Sequence, residues 1–110
     1  VRRLNAMMLA AGVLSILVPA APAAADSDTT FTDELHTYGI YGQKDYNAFI
    51  GTITCKRLDR GVDKDADAAA TFIHGQLEHG ATTEQAWQFL TSVLRTYCPQ
   101  QLGRPDAARP

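Results

Sequence analysis

The chain holds two cysteines, Cys55 and Cys98, and their placement restricts its fold more than any other feature. Both lie downstream of a stretch built like an export signal: Arg2-Arg3, an apolar core from Ala6 to Val18, then the small-residue run Ala21-Pro22-Ala23-Ala24-Ala25. In an oxidising compartment, two thiols on one short chain are expected to form a structural bridge. A redox enzyme would instead show a Cys-x-x-Cys pair at a helix start, where the helix dipole lowers a thiol pKa. Here the two are widely separated, one within a helical segment and one at the C-terminal end of another. Closing a loop of roughly 40 residues stabilises a small fold by about 4 kcal/mol in the chain-entropy model.

The apolar core of the leader is too short to cross a bilayer, which takes roughly 20 apolar residues, and Pro19 and Pro22 interrupt it. Cleavage is expected after Ala25, because Ala23-x-Ala25 offers small side chains at both positions a signal peptidase must accommodate; Ala23 is the second choice. Arg2-Arg3 resembles a twin-arginine signal, but Leu4-Asn5 continues that motif poorly, so the general secretory route is favoured. No cysteine directly follows the apolar core to carry a lipid anchor. The expectation is a leader over residues 1–25, a helical domain over 26–99 and an unstructured tail over 100–110, released to the cell envelope or beyond with no stable membrane insertion.

Without Arg2 and Arg3 the chain keeps eight basic side chains against twelve acidic ones, a formal charge of −4. Nucleic acid and anionic membrane both call for a basic surface and are therefore excluded as partners. Arginine outnumbers lysine seven to three and residue 1 is valine. This fits a GC-rich genome and a GTG start codon read literally.

Hydrophobic periodicity gives four helical segments and no strand. Asp26–Thr30 is polar and expected to lack fixed structure up to a cap at Thr30, after which Phe31, Leu35 and Tyr38 mark a short first helix ending at Gly39. The second runs from about Gln43 to Arg60 and stops at Gly61. Its Tyr46, Phe49, Ile50 and Ile53 follow an i, i+3, i+4, i+7 pattern expected to face the main core, while Gly51, Cys55 and Leu58 form a second face for close helix approach. A weaker third helix turns Ala69, Phe72, Ile73 and Leu77 inward before Gly80. The fourth opens on a Thr82/Gln85 capping box, buries Ala86, Phe89, Leu90, Val93, Leu94 and Tyr97, and ends at Pro99. The expected architecture is all-α: a small four-helix bundle with Cys55–Cys98 joining the second and fourth helices.

These positions resemble domain-of-unknown-function family 732, small exported actinobacterial and especially mycobacterial proteins. The resemblance rests on Phe31, Leu35 and Gly39-Ile40, then Gly51, Cys55, Leu58 and Gly61, and finally Gln85-Ala86, Phe89-Leu90 and Tyr97-Cys98-Pro99. It covers most of residues 28–99 and implies export and a helical, disulfide-linked domain, with no activity attached. The stretch from Val62 to His79 lies outside its pattern.

No other motif passes its own test. Asp63-Lys64-Asp65-Ala66-Asp67 opens like a calcium loop, yet Ala68 stands where the turn needs glycine and His74 where a bidentate glutamate belongs. An acidic start to the third helix explains it better. His74 and Glu78 share a helical face at i, i+4 as two candidate metal ligands, but no third ligand is evident, and His36, His74 and His79 read as solvent-facing. Ser27 and Ser92 sit in no nucleophile turn. The reading is therefore non-catalytic, with no metal and no cofactor: an exported module acting by contact with an unidentified protein or envelope component. The alternative is a carrier for small apolar ligands opening between the helices.

Overall fold

A computed structural model describes residues 23–104 and Asp106; the expected leader up to residue 22 and the tail from residue 107 lie outside the described residues. Within them the chain is all-α. Four helices, α1 (Ala23–Thr37), α2 (Lys44–Asp59), α3 (Ala66–Gln76) and α4 (Thr83–Tyr97), are followed by a short 3-10 helix at Pro99–Gly103.

Helix α4 is the hub, packed against each of the other three helices and the 3-10 turn. Its sequence dictates this: Ala86, Phe89, Leu90, Val93 and Leu94 recur on one side, and all are buried. The Thr82 hydroxyl accepts from the Gln85 amide N–H at 2.9 Å while the Gln85 side chain accepts from the Thr82 N–H at 2.9 Å, closing the expected capping box. Phe31 of α1 packs edge-to-face with both Phe89 and Tyr97, with centroids 5.2 Å apart in each pair, an arrangement that ring quadrupoles favour.

Helix α2 corrects the sequence reading. Tyr46 is 43% and Phe49 57% exposed, and Ile53 is only half-buried, so the i, i+3, i+4, i+7 stripe is not the main core face. The buried residues are Asn47, Ala48, Ile50, Gly51, Thr54, Cys55 and Leu58, of which the expected stripe held Ile50 alone. Two local constraints set this rotation. A Cβ at Gly51 would lie 3.0 and 3.1 Å from ring carbons of Tyr97, so only glycine lets α2 come this close to α4. Four residues on, Cys55 is joined to Cys98 with Cα atoms 6.0 Å apart. The bridge holds the C-cap of α4 against α2, as the bundle reading required.

Two terminal segments are more ordered than expected. Helix α1 begins at Ala23 rather than near Thr30, because polar residues in its first turns have tertiary partners: the Tyr97 hydroxyl donates to Asp28 at 2.6 Å and the Lys44 ammonium to Thr29 at 3.1 Å. Beyond Cys98, where an unstructured tail was expected, the 3-10 turn leads to Arg104 and Asp106. The Asp106 carboxylate accepts from the Ala66 backbone N–H at 2.9 Å, capping a donor that α3 itself leaves open. Arg104 donates to Asp106 and to the Lys64 carbonyl.

Candidate contact cleft

The connections α1–α2 and α3–α4 come together at one end of the bundle and enclose a cleft of about 280 Å³. Each wall is held by hydrogen bonds that the local sequence supplies. Helix α1 ends with the amides of Tyr38 and Ile40 both donating to the Leu35 carbonyl, after which Gly39 turns the chain at φ +77°. On the opposite wall α3 stops at Gln76, the Ala81 N–H donates to the Glu78 carbonyl, and His74 Nε2 donates to the Ala81 carbonyl at 2.8 Å.

Gln85 ties the two walls together. While its Oε1 accepts in the capping box, its Nε2 donates to the Tyr38 carbonyl at 3.1 Å. The amide that starts α4 therefore also fixes the end of α1. Across the mouth, the Tyr46 hydroxyl donates to Gln76 Oε1 at 3.2 Å, bridging α2 and α3. Tyr41, 61% exposed, lies on His36 with ring centroids 5.0 Å apart.

Asn47 is the unusual member of the wall. It is only 7% exposed and lines the cleft, and its amide is not among the sealed polar groups left without a partner, which in the described residues are Thr32 Oγ1 and Ser92 Oγ. Gly42 turns the chain beside it at φ +122°, a conformation that favours glycine, and a Cβ there would be in ordinary contact with Asn47 Nδ2 at 3.6 Å. The wall therefore offers an amide, which can both donate and accept, among its lining side chains. The lining contains no lysine, arginine or aspartate; Glu78 and His79 are its ionisable side chains besides the tyrosines, and both are exposed.

The residues singled out in the sequence fall elsewhere or play structural parts. Asp63 is buried at 5% exposure in a two-pronged ion pair with Arg57, at 2.8 and 2.9 Å, and that hydrogen bond raises the Arg57 pKa. The Arg57 guanidinium also lies 4.0 Å over the Phe72 ring. Asp65 caps α3 by accepting from the Ala68 N–H at 2.8 Å. The calcium-like triplet is thus divided between an ion pair and a cap. His74 and Glu78 do not share a helical face, because α3 ends before Glu78, and the described residues bring no three potential metal ligands together. Ser92 is fully buried inside α4. Sequence reasoning missed the cleft, whose residues lie in two loops without periodicity; the signal it offered was glycine and amide spacing, Gly39-x-x-Gly42-Gln43 against Gln76 and Gly80.

A family model described as Protein of unknown function (DUF732) matches residues 26–100. Uncharacterized proteins of two Mycobacterium tuberculosis strains, CDC 1551 / Oshkosh and ATCC 25618 / H37Rv, are each 49% identical to the chain over 85 residues, covering 76% of either sequence. No solved structure matches significantly. No described helix is long and apolar enough to cross a membrane. With its Tyr-Cys-Pro ending, its disulfide and a family match over most of its length, the chain belongs to the DUF732 family.

Proposed function

We propose that this protein is an exported, non-catalytic contact module whose recognition surface is the cleft between the α1–α2 and α3–α4 connections. The observation that carries the reading is the cleft wall itself, where two connections from different halves of the chain gather Tyr41, Gln43, Tyr46, Asn47 and Gln76 around one opening. The leader pattern supports export. Ser92 is enclosed and Glu78 and His79 stand in solvent, so none of them is set up as a shielded nucleophile or acid–base pair, which favours binding over catalysis. The apolar-carrier alternative draws less support: amides and tyrosines dominate the cleft wall, while the large apolar side chains between the helices pack on one another.

Capture from cell-envelope extracts by the immobilised oxidised protein tests this. The expected result is retained material that is lost with Tyr41→Ala and kept with Val62→Ala, a change at an exposed site outside the cleft lining. Equal retention by both variants would sink the reading.

A further inference from the structure

We infer that the cleft binds a neutral saccharide, with Asn47 and Gln43 reading ring hydroxyls and Tyr41 and Tyr46 offering aromatic surface to the ring; this rests on the contact reading above. Three features of the wall select that chemistry. The first is its polar inventory. Primary amides each present two N–H donors and a carbonyl acceptor, which matches vicinal hydroxyls, since every hydroxyl both donates and accepts. Asn47 lines the cleft, and Gln43 caps α2 without using its side chain.

The second is charge. A phosphate or carboxylate ligand needs cationic or charge-assisted donors, and the lining holds no lysine or arginine. The third is the pairing of exposed tyrosines with a small volume. Tyr41 and Tyr46 are 61% and 43% exposed, and each combines a ring face with a polar tip, the combination that suits the C–H faces and hydroxyl edges of a sugar. At about 280 Å³ the cleft lies just under the roughly 300–1,000 Å³ of drug-sized pockets. It holds one ring while the remainder of a chain extends past the tyrosines. A lipid tail would find Ile40 and Leu77 as the only aliphatic side chains larger than alanine.

The ¹H–¹⁵N spectrum of the exported, disulfide-bonded protein provides the test, titrated with glucose, galactose, mannose, arabinose, maltose and trehalose, with sorbitol as an acyclic polyol and trialanine amide as a neutral peptide. At least one sugar is expected to give saturable shifts in the Asn47 side-chain amide and the backbone amides of Tyr41–Gln43 and Glu78–Ala81. Asn47→Ala should weaken binding about tenfold, which is about 1.4 kcal/mol. Tyr41→Ala should weaken it similarly. Sugar shifts that match those of sorbitol, or wild-type affinity in Asn47→Ala, would overturn the saccharide assignment. If only the peptide moves these amides, the saccharide falls and the contact reading stands; if nothing moves them and Tyr41→Ala still captures envelope material, both fall.

Discussion

At the scale of single residues, the closest contacts set the largest expected effects. Cys55→Ser or Cys98→Ser should lower unfolding free energy by roughly 2–5 kcal/mol in denaturant titration, because the bridge fastens the C-cap of α4. Gly51→Leu should also destabilise, by pushing its side chain into the Tyr97 ring, and a calorimetric midpoint at or above wild type would refute that. Ser92 calls for the opposite change. Its hydroxyl is buried without a partner, so Ser92→Ala should leave stability equal or raise it by up to about 1 kcal/mol. Tyr97 gives a pH signature: burial first, then its hydrogen bond to Asp28, hold the phenol well above its ordinary value. The unfolded chain ionises this group near pH ~10 while the folded chain does not, so its contribution is intact below that pH and is lost as pH rises further. Absorbance of tyrosinate against circular dichroism across alkaline pH would separate ionisation from unfolding.

At the scale of elements, legibility followed how local the determining interactions are. Helix α4 was fully readable because its capping box, its stripe and Pro99 all lie within its own sequence. Helix α2 was readable in extent, but its rotation was not, since the face it buries is chosen by Tyr97 and Cys98, more than 40 positions away in sequence; apolar periodicity alone pointed to Tyr46 and Phe49. The start of α1 and the end of the tail were missed for the same reason, as Asp28 and Asp106 acquire structure from distant partners. The tail contact has its own test. The Ala66 N–H above all, and then Arg104, lower the Asp106 pKa, so this clasp is complete above the ordinary carboxylate value of ~3.9 and is lost as pH falls below it. Hydrogen exchange at the Ala66 amide, corrected for intrinsic rate, should accelerate on acidification and in Asp106→Asn at neutral pH.

At the scale of the whole molecule, helical periodicity and the two cysteines were enough for an all-α, disulfide-linked domain, whereas the cleft became visible only when two loops from opposite halves of the chain were brought side by side. Because Asp63 and Asp65 are already engaged and Glu78 is off the face of His74, micromolar calcium or zinc should leave the melting temperature nearly unchanged; a saturable rise abolished by Asp63→Ala would contradict this. If the proposed export holds, N-terminal sequencing of the processed protein should begin at Asp26. That position bears on timing as well as on identity. Helix α1 runs from Ala23 through the expected cut, and a peptidase acts on backbone that has opened. If the proposed cut after Ala25 takes place, it would come before folding, because a helix wound back to Ala23 withdraws the scissile bond. On that proposal, a precursor allowed to fold and oxidise before meeting the peptidase should be cut more slowly than the nascent chain, and the winding of α1 would set the deadline for release.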